Sequence, residues 1–201
     1  MKELLSSGYY QNSDVISLTR DMIGKLIVTE IDDITTSGII VETEAYKAPE
    51  DKASHAYDNR MTSRTKTMFE AGGTSYIYLI YGFHHLFNIV TGPQGLAHAV
   101  LIRAVEPVEG IDIMIKRRKM LTANSELTNG PGKWTCAMGI TTKYNGLKLF
   151  EPESSIKIYD TGSVFLSEDI ISSSRVGIPY AQDYIDKPWR FRLKGNGWIG
   201  K

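Results

Sequence analysis

The chain has 201 residues, a single cysteine and equal numbers of basic and acidic side chains, 23 of each. That length suits one domain with a substantial core, and the lone cysteine excludes an internal disulfide and a thiolate metal cluster. No apolar run approaches the roughly 20 residues that span a bilayer, and the amino terminus has no apolar signal core, so a reduced, intracellular setting is expected.

Zero net charge argues mildly against nucleic acid as a partner, but the charges are segregated. Acids concentrate in residues 30–51 and 151–169. Bases concentrate in Arg60, Arg64 and Lys66, in residues 116–119, and in Lys187, Arg190, Arg192 and Lys194. These three basic groups form a phosphate-binding surface if they meet on one face.

In chain order, Ser13-Asp14 caps a helix carrying Val15, Leu18, Met22 and Ile23, which Gly24 can end. Lys25–Glu30 is a predicted strand and Asp32-Asp33 a turn into the next strand, giving an antiparallel pair. From Lys47 to Gly73 regular periodicity fades. Pro49-Glu50-Asp51 can start a short helix carrying His55, and Ser63 can cap a second with Lys66, Met68 and Phe69. Such long connections are usually functional or mobile.

Residues 74–90 are rich in β-branched and aromatic side chains and predict a hairpin turning at Tyr81-Gly82. Aromatic residues at a wet tip need a reason. Either Tyr81 and Phe83 fold back onto the core or another subunit, or they meet a partner. Ala97–Val105 is a further strand interrupted by Arg103, and Pro107 then opens a helix through Ile111, Met114 and Ile115. Asn129-Gly130-Pro131-Gly132-Lys133 leads into a helix with Trp134, Met138 and Ile140. Cys136 sits there in an apolar context that favours a buried, inert thiol. Residues 156–159 and 189–193 are the last strands. The order of elements predicts an α+β fold, one domain over residues 1–201 with a largely antiparallel sheet.

Ile39–Tyr46 is the stretch with unusual chemistry. Period-2 geometry places Ile40, Glu42, Glu44 and Tyr46 on one face. Two carboxylates so placed are roughly 6–7 Å apart, and each disfavours ionisation of the other. The bland alternative is an edge strand with a solvated acidic face. Arg103 is the obvious counter-ion for Glu42 or Glu44, either as a structural pair or as part of a group that holds and activates water. His55, His84, His85 and His98 have no paired ligand spacing, so no metal site is expected. The glycines before Lys133 lack P-loop spacing, though a helix start there can hold a phosphate.

Val41-Glu42-Thr43-Glu44-Ala45-Tyr46, Pro49-Glu50-Asp51, Ala53-Ser54-His55, the segment from Arg60 to Met68, residues 76–82, Asn88-Ile89, residues 101–107, Gly130-Pro131-Gly132-Lys133, Arg175-Val176-Gly177-Ile178 and Lys187-Pro188-Trp189-Arg190-Phe191 stand in one order. That ordered set resembles the alkyladenine (3-methyladenine, or methylpurine) DNA glycosylase family over nearly the whole chain. The resemblance implies a curved antiparallel sheet with surrounding helices and a protruding β-hairpin. It implies a monofunctional enzyme of base-excision repair, without metal or cofactor, that flips alkylated or deaminated purines from damaged double-stranded DNA. It hydrolyses the N-glycosidic bond with an activated water and has no lyase step.

By motif position Glu44 is the catalytic carboxylate and Arg103 helps hold the water. Tyr46 is one wall of the base pocket, with His55 and Tyr78 the opposite wall. Asn88 crowds the 2-amino group of normal guanine, and Tyr81 fills the space of the flipped nucleotide. Arg60, Arg64 and Lys133 are candidate phosphate contacts. A monomer without membrane attachment is expected, cytoplasmic at the nucleoid if bacterial and nuclear if eukaryotic. Phe83-His84-His85 and Trp134 depart from the family pattern.

Overall fold

Asp32 and Asp33 take φ of +54° and +58°, the left-handed pair a two-residue hairpin turn requires. They join β2 (Leu26–Ile31) to β3 (Ile34–Lys47). A computed structural model describes residues 2–200. Its other strands are β1 (Glu3–Leu4), β4 (Ser75–Ile80), β5 (His84–Thr91), β6 (His98–Glu109), β7 (Ile156–Asp160), β8 (Ile170–Ser173) and β9 (Arg190–Leu193). The sheet runs β1-β7-β2-β3-β6-β5-β4, and β9 joins β3 while pairing with β8. Every strand pair described is antiparallel. The fold is α+β, as the order of elements predicts.

β3 is the spine. Its first half pairs with β2, its second with β9, and β6 lies along its other edge. Every residue from Ile40 to Ala45 is buried, because both faces are covered. On one face, Thr43 Oγ1 donates to the Thr19 carbonyl at 2.9 Å, docking α2 (Val15–Asp21), which follows the one-turn α1 (Ser7–Tyr10). Asp14 caps that helix by accepting from the Ser17 N–H, as the sequence suggests.

Pairing of β3 with β6 is irregular at two points. Ile40 pairs Val105, Glu42 pairs Ala104 and Thr43 pairs Ile102, which leaves Val41 and Arg103 outside the register. Such bulges turn side chains between faces. Ile40 therefore joins Ala45 in the main core, not the face of Glu42 and Glu44 as unbroken alternation predicts. Neither carboxylate is solvated: both residues are 0% exposed, and β3 is central, so the edge-strand alternative is excluded.

Pro107 does not open a helix. It pairs with Gly38 inside β6 beside another register shift, where a residue without N–H is tolerated, and the helix begins later, as α3 (Ile111–Arg117). The helix expected from Pro49 is replaced by turns and a 3-10 segment at Tyr57–Asn59. Asp51 explains the change by accepting from the Lys47 and Ala53 N–H groups, a side-chain alternative to helical bonding. The second expected helix is a 3-10 turn at Lys66–Phe69.

α4 (Pro131–Ala137) packs across β5 and β6. Trp134 is fully buried, donates from Nε1 to the Ile102 carbonyl at 3.0 Å, and meets Phe87 edge-on at 5.6 Å. Cys136, on the opposite side of the same helix, is exposed rather than buried. Replacing Trp134 by Ala is expected to destabilise the protein by about 3–5 kcal/mol, measured as a lower midpoint in urea denaturation.

Candidate active site

Glu42 and Glu44 converge on Arg103 of β6. Arg103 Nε donates to Glu42 Oε1 at 2.8 Å, and its Nη1 lies 3.2 Å from Glu44 Oε1. The register break that sets Arg103 outside the ladder puts it between the two carboxylates. Burial disfavours the guanidinium charge, but Glu44 and Glu42 outweigh that and raise its pKa. The backbone N–H of Val176 also donates to Glu44 Oε1, at 2.8 Å. The Tyr46 hydroxyl donates to Glu44 Oε2 at 2.9 Å. Burial and then the Glu44 charge hold the Tyr46 pKa well above its ordinary value, so the phenol stays a donor.

Tyr46 also forms part of a neighbouring cleft, with Ala53, His55, Met68, Tyr76, Tyr78, Asn88, Ala99 and Tyr180. His55 stands edge-on to Tyr78 at 4.7 Å, and its Nδ1 is 3.0 Å from the Tyr76 hydroxyl. Burial, helped by the Arg64 charge, lowers the His55 pKa to about 4, so the ring is neutral at physiological pH. Asn88 is buried, and its amide donates to the Tyr76 carbonyl at 3.1 Å, which fixes it in the wall. The sequence-predicted residues Tyr46, His55, Tyr78 and Asn88 are thus brought to one cleft, with Glu44 and Arg103 behind Tyr46.

Several contributors carried no role in the sequence reading. Arg175 forms a two-point ion pair with Asp51, at 2.6 and 2.9 Å. Its guanidinium stacks 4.8 Å from the Tyr46 ring centroid and 5.1 Å from that of Trp189. Tyr180 crosses from the carboxyl-terminal part of the chain to line the cleft and is 60% exposed. Tyr76 supplies the hydroxyl that holds His55. Arg175 lies 124 residues from Asp51, a separation that hides the pair from local pattern, and the Arg175–Ile178 motif alone marks that segment.

The basic groups separate. Arg60 and Arg64 are exposed and line a cavity with Lys52, Ser54, Tyr57, Thr62 and Thr65 that shares His55 and Tyr180 with the cleft. Arg64 stacks on Tyr78 at 4.7 Å. Lys133 instead bonds Glu126 and Asn129, and Arg190 turns inward to Glu42 at 2.6 Å. Lys133 and Arg190 are thus each committed to a carboxylate.

The β4–β5 hairpin is anchored just below its tip, at His84 and His85, and the turn itself is open. Thr135 Oγ1 donates to the His85 carbonyl and the Thr142 N–H donates to His85 Nδ1. A Cβ on Gly132 would stand only 2.6 Å from the His84 ring, so α4 abuts the hairpin directly. Tyr81 and Gly82 take φ of +54° and +79° in the turn. Tyr81 is 80% and Phe83 67% exposed, so the tip does not fold back onto the core. Among the described residues no group of three or more His, Cys, Asp or Glu is arranged to hold a metal ion, and no helix is long and apolar enough to cross a membrane.

Residues 9–197 match the family model described as Methylpurine-DNA glycosylase (MPG). Three proteins named "Putative 3-methyladenine DNA glycosylase" are similar over nearly their full lengths. That of Chlamydia felis is 47% identical over 191 residues, covering 94% of this chain and 96% of the relative. That of Chlamydia pneumoniae is 43% identical over 196 residues, with 94% and 95% covered. That of Bacillus cereus strain G9842 is 41% identical over 198 residues, with 96% and 97% covered.

His55 yields a signed prediction about stability. Its folded pKa of about 4 lies below the ordinary 6.5, so the unfolded chain binds its proton first as pH falls. The His55 contribution is fully present above pH 6.5 and is lost as pH falls through about 4. Urea denaturation at stepped pH should show a shallower acid loss in His55→Gln than in the parent.

Proposed function

The chain belongs to the methylpurine-DNA glycosylase family, and from that premise we propose that it excises alkylated and deaminated purines from double-stranded DNA as a monofunctional glycosylase. The observation that carries this reading is Tyr46. Its ring lines the aromatic cleft while its hydroxyl donates to the buried Glu44. A flat base held in the cleft has its glycosidic bond within reach of that carboxylate.

The chemistry follows from the groups present. A base inside a duplex hides its glycosidic bond, so the nucleotide must be flipped out and its lost stacking offset. Tyr81, on an anchored hairpin with an exposed tip, is suited to fill the vacated space. Tyr46 faces one side of the flipped purine and His55 with Tyr78 the other, while Asn88 crowds a 2-amino group. As the C1′–N bond breaks, its electron pair leaves with the purine and positive charge develops on the sugar. Glu44 stabilises that charge and takes a proton from the attacking water, whose oxygen bonds to C1′. Arg103 orients the carboxylate and supplies its counter-charge. A cationic N-methylated purine departs neutral and needs no acid, whereas neutral hypoxanthine or ethenoadenine departs as an anion that takes up a proton from solvent. The products are free base and an abasic site.

Lys52, which lines the adjoining cavity, is tied to Gln182 and Asp183. That arrangement supports a water nucleophile over an amine and hence no lyase step. Arg60 and Arg64 are the better placed of the candidate phosphate contacts. The chain then acts alone as one glycosylase domain on 3-methyladenine, 7-methylguanine, hypoxanthine and ethenoadenine. The relatives come from bacteria, and the setting proposed for this chain is bacterial DNA in the cytoplasm.

Glu44→Gln should lower single-turnover release of free methylated base by roughly 10²–10⁴-fold; parent-like release overturns the assignment. Tyr81→Ala should slow excision from duplex by roughly tenfold or more while leaving single-stranded substrate little changed. Product strands should stay intact until treated with alkali, and direct nicking would reveal a lyase.

A further inference from the structure

Glu42 lies outside the cleft lining, yet it is as deeply buried as Glu44. Its carboxylate is fully engaged. Oε1 accepts from Arg103 Nε at 2.8 Å and from Arg190 Nε at 2.6 Å. Oε2 accepts from the backbone N–H of Gly200 at 2.8 Å, and Arg190 Nη2 donates to the Gly200 carbonyl at 3.3 Å. The segment that brings Gly200 there is itself fixed, because Asn196 Nδ2 donates to Glu106 at 2.6 Å and Asn196 Oδ1 accepts from the Trp198 N–H. Two carboxylates and two guanidinium groups thus form one chain, Arg190–Glu42–Arg103–Glu44, with formal charge balanced.

We propose that Glu42 and Arg190 are positioning residues for base excision. Their ion pair holds Arg103 against Glu44 and sets the charge balance at the reacting carboxylate, with residues 196–200 as the strap that closes the network. The proposal rests on the reading of Glu44 as the general base.

Arg103 is the hinge of the argument. It grips Glu42 through Nε and Glu44 through Nη1, so freeing either end changes its aim at the other. Burying an ion pair is seldom stabilising in itself, so a four-member charge network behind Glu44 calls for a role beyond the fold. Here the second arginine gives the network a purpose. With Glu42 pairing Arg190, Arg103 neither overcompensates Glu44 nor leaves it bare.

The groups around both carboxylates are known. Glu44 meets Arg103 from β6, Tyr46 from its own strand and the Val176 N–H from the loop after β8. The Arg175–Asp51 pair, Tyr78 and Tyr180 lie further out. Glu42 meets Arg103, Arg190 and the Gly200 N–H, and Arg192 stands opposite it in register.

Opposite charge changes must then act in opposite directions on the same reaction. The test is single-turnover release of 7-methylguanine from duplex DNA across the acid limb of the rate profile. Glu42→Gln leaves an excess cation beside Glu44, so the limb should move about one pH unit lower, with a plateau reduced roughly 10- to 100-fold by misplacement of Arg103. Arg190→Gln leaves an excess anion, so the limb should move about one unit higher. Arg190→Lys should return it toward the parent. Limbs that stay in place, or move the same way in both Gln variants, overturn the proposal whatever the plateau rates. If Glu42→Gln fails to fold, Arg190→Gln against Arg190→Lys decides by the same criterion. Glu44→Gln separates the two readings. Parent-like release there removes the general base itself, whereas an inert Glu44→Gln with unmoved limbs removes only the positioning role.

Discussion

The structure around the cleft depends on burying two carboxylates side by side in the central strand. An unpaired buried charge costs several kcal/mol, and Glu42 and Glu44 are both 0% exposed. Arg103 meets that constraint from the neighbouring strand by bonding Glu42 and lying 3.2 Å from Glu44. The ladder gives way to let it do so. Val41 and Arg103 both fall outside the β3–β6 register, and Ile40 turns into the core with Ala45. The irregular pairing and the charge network are one feature seen at two levels.

A second ion pair extends the same logic toward the cleft. Asp51 and Arg175 are buried together, and each has a further task. Asp51 organises the turn after β3, while Arg175 stacks on Tyr46 and Trp189. The aromatic wall is therefore held from behind by a cation that is itself neutralised. Val176, the next residue, places its N–H on Glu44. One short segment near the carboxyl end thus supports both the stacking wall and the carboxylate, which keeps their mutual geometry fixed.

The hairpin shows the opposite balance. The start of β5, next to the turn, is locked against α4, and the turn carries Tyr81 and Phe83 into solvent. Folding alone gives no reason to expose two large aromatic rings on one turn. The exposed turn is the feature behind the proposal that Tyr81 wedges into stacked bases.

Local pattern was enough for much of this molecule. The Asp14 cap, the Asp32-Asp33 turn, the aromatic hairpin, and the pairing of Arg103 with the acidic strand were all legible, because each rests on neighbouring residues or on a charge that burial must compensate. Three expectations failed. Pro107 was expected to open a helix but sits at a register shift, and the helix expected from Pro49 yields to turns organised by Asp51. Cys136 was expected to be buried, but it lies on the outward side of a helix whose inward side is taken by Trp134.

The sequence by itself determined the family, the sheet-rich fold and the residue types of the site. Tertiary structure alone decided that β3 is central and that Ile40 leaves the acidic face. It alone brought Arg175, Tyr180, Arg190 and Gly200 to Glu42, Glu44 and the cleft. The physical reason is that bulges and long-range ion pairs are set by which strands meet. Neither leaves a periodic signal in the chain.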